Sequence, residues 1–217
     1  MGSSQPILKH VYLEGELVSL RPQSNSDAAT LFPLVHKQAA VLDMLVWTGP
    51  NCMEDLEELY SLWRLRDESS PSSARDYFFV IRHRESGRPA GNCGVRFVEA
   101  TAAGRERVGN IGYWLGEEFW GAGLMSEAVR LLVWLSFEHL AAASVEAKCL
   151  SVNMGSQRVL EKCGFLRDAN YQQIAADHGP HSGVCELRFE LTREEYLHGE
   201  KNGERFTPAS AHVETYD

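Results

Sequence analysis

The sequence predicts one mixed α/β (α+β) domain built on a mostly antiparallel sheet. Three observations predict it: three consecutive strand-like runs joined by short turns, a glycine-rich turn leading from the third run into a long amphipathic helix, and a strand, helix, strand, strand series after that helix. With 217 residues, 44% of them hydrophobic, the chain can bury one substantial core, and its length lies near the upper end for a single domain. The domain is expected over 15–197, after a flexible N-terminal stretch (1–14) and before a polar tail (198–217) expected to be disordered.

Leu17-Val18-Ser19-Leu20-Arg21 alternates as a half-buried strand and stops at Pro22. Ser26-Asp27 offers N-caps for a helix through Leu31, Leu34 and Val35, with Pro33 in the first turns, where proline is tolerated. After the turn Thr48-Gly49-Pro50-Asn51, residues Leu56, Leu59, Tyr60, Leu62 and Trp63 recur at helical spacing. Asp67 to Ser73 is polar and rich in helix breakers, and reads as a surface loop. Tyr77 to Arg82 and Pro89 to Phe97 form a hairpin across Ser86-Gly87, and a loop containing Gly104 leads to the strand Val108 to Leu115, completing an antiparallel meander. A helix from about Gly123 to Leu140 follows, then a strand from Val145 to Leu150 and a helix from Met154 to Cys163, with Gly164 in the left-handed position after it. Tyr171 to Ile174 and Val184 to Leu191 are closing strands around the turn Asp177-His178-Gly179-Pro180. The total is about seven strands and four helices.

Twenty-one basic against thirty acidic residues give a net charge of −9, which disfavours nonspecific attraction to nucleic acid or to an anionic membrane and suits a cationic substrate better. The five cysteines lie far apart without CxxC or Cys/His pairing, so reduced thiols are expected and no metal site is. Met1 to Pro6 lacks the basic and apolar regions of a secretory signal. The most apolar segment, Leu124 to Ala143, is interrupted by Glu127, Arg130 and Glu138, so the expectation is a cytoplasmic protein without a membrane span.

The chemistry concentrates where the strand ending at Leu115 turns through Gly116-Glu117-Glu118-Phe119-Trp120-Gly121-Ala122-Gly123 into a helix. Small residues at a helix start leave backbone amides free to converge on an anion. The plainer reading is that Gly121 and Gly123 only permit a tight turn. A Walker loop is excluded because Leu124-Met125 follows Gly123 where Lys-Ser/Thr is needed, and a dinucleotide fingerprint because Ser126 stands where Gly or Ala belongs and the upstream strands are joined by short turns.

Three segments in order, Ile111-Gly112-Tyr113-Trp114-Leu115-Gly116, Trp120-Gly121-Ala122-Gly123-Leu124-Met125-Ser126-Glu127-Ala128 and Asn153 to Phe165, resemble the Gcn5-related N-acetyltransferase (GNAT) superfamily, in its RimJ/RimL-type branch of ribosomal-protein N-terminal acetyltransferases. The resemblance extends from Leu17 to Tyr196. It implies a sheet whose two central strands splay into a V, acetyl-CoA as acyl donor, and no metal. It also implies that backbone at Trp114, Leu115 and Gly116 pairs with pantetheine amides. The run Trp120, Gly121, Ala122, Gly123, Leu124 and Met125 would hold the pyrophosphate, Ser126 would add a hydroxyl, Asn153 would contact the pantetheine, and Ser156 would lie near the thioester sulfur. Outside the resemblance, Asn153 reads as a helix N-cap.

Many relatives carry a tyrosine in the second helix as proton donor; the matching position here is Leu160, and Ser156 is the substitute. The glutamate that some ribosomal-protein enzymes place after Gly164-Phe165 is missing from Tyr171-Gln172-Gln173-Ile174. Glu146 is taken as the candidate base, with Glu117, Glu118 and Asp177 behind it; a carboxylate of this kind is more often solvated or paired. Trp47 marks the expected acceptor region, and His178 and His181 read as exposed loop residues. The expected function is acetyl transfer to a primary amine, either a protein N-terminus or a small molecule, by a monomer or homodimer. The alternative is a catalytically silent acyl-CoA-binding sensor or partner protein.

Overall fold

The computed structural model describes residues 8–45, 47–69, 76–97, 107–174, 183–201 and 206–215. Among them, nine strands form one open sheet: β1 (Leu8–Glu14), β2 (Val18–Pro22), β3 (Asp76–His83), β4 (Pro89–Phe97), β5 (Val108–Leu115), β6 (Ser144–Leu150), β7 (Leu166–Ile174), β8 (Cys185–Thr192) and β9 (Ser210–Thr215). Their order across the sheet is β7-β8-β6-β5-β4-β3-β2-β1-β9, and every neighbouring pair is antiparallel except β5 with β6. Six α-helices are described: α1 (Ala28–Val35), α2 (Ala39–Leu42), α3 (Met53–Ser69), α4 (Leu124–Glu138), α5 (Met154–Lys162) and α6 (Arg193–Lys201).

Period-2 alternation sends one set of side chains to each face of the sheet. Val95, Ile111, Leu115, Val145, Ala147 and Phe189 join the buried residues of α4, the main core. Val80 on the other face joins Ala28, Leu31, Leu56 and Tyr60 of α1 and α3, with Trp114 packed against them. Helix α4 is apolar nearly all round because it packs against several strands of the sheet and against α5. Tyr196 of α6 stacks on Phe137 of α4, with ring centroids 4.6 Å apart.

One buried charge ties the outer strands to this core. Glu127, in the first turn of α4 and 7% exposed, accepts hydrogen bonds from the N–H groups of Glu16, Leu17 and Val18 at 2.8, 2.7 and 2.8 Å. A carboxylate that accepts several backbone donors recovers the cost of its own burial. The fit leaves no space: a Cβ on Gly15 would stand 2.2 Å from the Glu127 carboxyl carbon.

The ends of the chain differ from expectation. Residues 8–14, placed in a flexible stretch, form β1, with Val11 and Leu13 buried. Part of the tail expected to be disordered forms β9, paired with β1 from Leu8↔Thr215 to Glu14↔Ser210. Strand β9 lies on the sheet edge and buries little, so its sequence carries no strong apolar alternation. Thr192 and Glu195 cap α6 reciprocally: the Thr192 N–H donates to Glu195 Oε2 (2.8 Å) and the Glu195 N–H to Thr192 Oγ1 (3.2 Å). Helix α3 runs through Ser69 into the expected loop. The rest of that loop, the Gly104 loop, the turn 177–180 and, with them, Asp177, His178 and His181 lie outside the described residues.

Glu127→Ala is expected to lower unfolding free energy by about 3 kcal/mol, since three buried or half-buried donors lose a charged acceptor together. Urea unfolding measures this; a loss under about 0.5 kcal/mol, the size of an ordinary surface change, would contradict the role given to the carboxylate.

Candidate active site

Strands β5 and β6 pair over four residues each, Val108–Ile111 against Ser144–Ala147, and then part. Beyond that point β5 continues to Leu115 on β4 alone, and β6 continues to Leu150 on β8 alone. The Gly116 N–H donates to Ala90 O on β4 (2.9 Å). Alternation along the strand therefore turns the N–H and C=O groups of Tyr113 and Leu115 the other way, into the opening. The Trp120 indole N–H donates to Leu115 O at 3.0 Å and pins the top of this edge.

Above the opening the chain makes a single 3-10 turn at Glu117–Phe119 and then enters α4 through Gly121 (φ 78°) and Gly123 (φ 83°). Both are in the left-handed region that favours glycine. Space is not the reason for these glycines: a Cβ on Gly121 would meet nothing within 4 Å, and on Gly123 only Leu17 Cδ1 at 3.5 Å. The first-turn N–H groups of α4 have no partner within the helix and carry its positive end.

The opening and the loop form one cleft of about 510 Å³, closed on its far side by Val41, Met44 and Leu45 at and after α2. Asn153 builds the corner where α5 begins. Its Oδ1 accepts from the Ser156 N–H (2.9 Å) and its Nδ2 donates to Met44 O (3.0 Å), so one side chain caps α5 and anchors the 41–45 segment. At the base of the cleft the Tyr113 hydroxyl and Ser156 Oγ are 2.7 Å apart. Burial pushes the Tyr113 phenol well above its ordinary range, against the opposing effect of Ser156. Burial also pushes the Cys149 thiol up to about 11, with the nearby Ser156 acting the other way.

Ten residues named from the sequence line this cleft: Trp114, Leu115, Trp120, Gly121, Gly123, Leu124, Met125, Ser126, Asn153 and Ser156. Two do not. Gly116 turns its N–H to β4, as Trp114 turns its backbone, so of the three positions expected to pair with pantetheine amides only Leu115 faces the opening, and Ala122 is exposed between the two glycines. Glu146 is not brought to Ser156. It sits opposite Asn110, on the face of β6 turned away from α4, and its carboxylate pairs with Arg188 at 3.5 Å. Arg188 also pairs with Asp168. Glu118 is paired with Arg88, Glu117 is exposed, and Leu160 is fully buried in the core. Trp47 packs against the smaller core cluster that contains Leu31 and Tyr60. The Tyr113 hydroxyl and the 41–45 segment were missed. Tyr113 was within reach of sequence reasoning, because it lies two residues before Leu115 on the same side of a strand already assigned to the site. Among the described residues, no group of three or more His, Cys, Asp or Glu is placed to hold a metal, and no helix is long and apolar enough to cross a membrane.

Comparison with known proteins follows the same lines. The family model described as "Acetyltransferase (GNAT) domain" matches residues 18–166. The "Probable N-acetyltransferase YjcK" of Bacillus subtilis is 47% identical over 58 residues, covering 27% of this chain and 32% of that protein. The "FsC-acetyl coenzyme A-N(2)-transacetylase" of Aspergillus fumigatus is 31% identical over 90 residues, covering 42% and 38%. The matches thus span about a third of the length of these curated relatives. Among solved structures, Mycobacterium smegmatis RimJ in complex with CoA-disulfide superposes with a TM-score of 0.72 at 20% identity, covering 93% of this chain and 98% of that one, a likeness of fold.

Gly123→Ala is expected to cost about 1 kcal/mol of stability through its left-handed backbone alone, because the added methyl meets only an ordinary contact. Urea unfolding reads it; a neutral or stabilising result would contradict the conformation described for the loop.

Proposed function

We propose that this chain, which belongs to the GNAT acetyltransferase family, transfers an acetyl group from acetyl-CoA directly to a primary amine. The observation that carries the reading is the parted pair β5/β6, because the gap opens where the two strands stop pairing, is lined by inward-turned backbone, and ends at a glycine-rich helix N-terminus on one side and a hydroxyl pair on the other. Acetyl-CoA has the matching parts in the matching order: a diphosphate, an amide-bearing arm that can pair as a strand, and a terminal thioester. The CoA species named for the RimJ neighbour supports the same assignment.

On this reading the N–H groups from Gly121 through Met125 hold the diphosphate, with the Ser126 hydroxyl beside them. Backbone at Tyr113 and Leu115 pairs with the arm, and Asn153 keeps the 41–45 wall closed against it. Ser156 meets the sulfur. The acceptor enters through the opening from the other face, where Gly112 is exposed and Glu146 stands beside Asn110. An α-amine, with a reference pKa of about 8, is already neutral in useful proportion near pH 8 and needs little help from a base. This suits a site whose carboxylate on that face, Glu146, is engaged by arginine.

Thiol release from acetyl-CoA at pH 8, run against a panel of peptides with free N-termini and a panel of small primary amines, tests the activity and separates the two acceptor classes. Turnover on one panel is the expected result. Silence on both, with acetyl-CoA bound, would contradict the transferase reading and leave a binding protein. Gly123→Glu, which puts a carboxylate into the anion site, is expected to weaken acetyl-CoA binding at least 100-fold, about 2.7 kcal/mol. Unchanged affinity by calorimetry would overturn the diphosphate assignment.

A further inference from the structure

We propose that Tyr113 is a positioning residue for the leaving sulfur: its phenol donates to Ser156 Oγ and so turns the Ser156 O–H toward the place where the sulfur departs. The inference rests on the acetyl-transfer reading and adds a residue to it. Two features of the geometry support it. First, β5 and β6 pair in step up to Ile111↔Ala147, so Tyr113 and Cys149, two positions on, are the first residues past the parting on the α4 face, where an arm laid along β5 from the glycine loop must end. Second, the Ser156 backbone is fixed by Asn153, and its Oγ lies 2.7 Å from the Tyr113 hydroxyl.

The direction of the bond follows from the surroundings. The titratable groups facing Tyr113 are Cys149 on β6, Cys163 after α5 and, opposite it on β4, Cys93. Burial pushes all three thiols upward, so they stay protonated and accept hydrogen bonds poorly. The serine oxygen is the strong acceptor within reach, so the phenol donates to it and the serine's single hydrogen is left for the sulfur. In the transfer step the amine nitrogen forms the C–N bond, the C–S bond breaks, and the electron pair stays on sulfur as a thiolate held by the Ser156 O–H. The nitrogen loses its proton to solvent and the thiolate gains one from solvent on release. Tyr113 and Ser156 finish unchanged.

The test compares wild type, Tyr113→Phe and Ser156→Ala without needing the acceptor. Thiolate absorbance is titrated against pH with CoA bound, using protein saturated with desulfo-CoA as the blank for its own thiols. Wild type is expected to lower the pKa of the bound CoA thiol by about one unit relative to free CoA. Both variants should return it to the free value while keeping desulfo-CoA affinity, which shows an intact site. With an accepted amine, Tyr113→Phe should lower kcat about 10-fold at unchanged KM for acetyl-CoA, and adding it to Ser156→Ala should cost nothing more. An unshifted thiol in wild type, or the same shift in Tyr113→Phe, would overturn the positioning role alone. Failure of wild type to bind CoA would overturn the acetyl-transfer reading and this inference with it.

Discussion

The site depends on the parting of β5 and β6. Four residues on each strand pair, and then each strand keeps only its other neighbour, β4 for one and β8 for the other. Backbone groups cannot be left without partners cheaply inside a protein, so this gap is stable only if solvent or a ligand completes it. The antiparallel neighbours make the separation tolerable because they hold each strand along its full length. Each strand is followed by a helix whose N-terminus flanks the gap: α4, after the 3-10 turn, through Gly121 and Gly123, and α5 through Asn153. Two positive helix ends and one row of inward-turned backbone therefore meet in a single cleft.

The rigidity of this arrangement comes from ties that reach across the fold. Glu127 lies one turn into α4 and gathers three N–H groups of the β1–β2 turn, which brings Leu17 over Gly123. Asn153 joins the start of α5 to the carbonyl of Met44. The Trp120 indole fastens the glycine loop back to Leu115. Each tie uses a polar side chain that is at least partly shielded from water, where a hydrogen bond is stronger and its loss more costly. The loop proposed to hold an anion is thus tied down before any ligand arrives.

Much of this was legible in the sequence because local chemistry fixed it. Gly121, Gly123 and Gly164 all adopt positive φ, as their turn positions require, and Asn153 caps α5 as its residue type and place suggest. The strands from β2 to β6 alternate clearly enough to be placed within a residue or two. Strand β9 was not legible, since an edge strand has one partner and little to bury. Helix α6 is marked in the sequence by Thr192 and Glu195 in capping-box spacing. The separation of Glu146 from Ser156 is a tertiary fact: residue 146 differs from Cys149, which neighbours the serine, by an odd number of strand positions, and so faces the opposite side of the sheet. Tyr113 shows the converse, a residue whose side follows from strand parity but whose partner, 43 positions away, appears only in the fold.

Amide hydrogen exchange resolved to single residues, with and without acetyl-CoA, tests the central claim most directly. The account predicts new protection at the N–H groups of Tyr113 and Leu115 and along Gly121 to Met125, with Gly112 and Trp114, whose backbone already faces β4, unchanged. Protection that leaves Tyr113 and Leu115 untouched when acetyl-CoA binds would contradict the parted strands as the place where the arm is held.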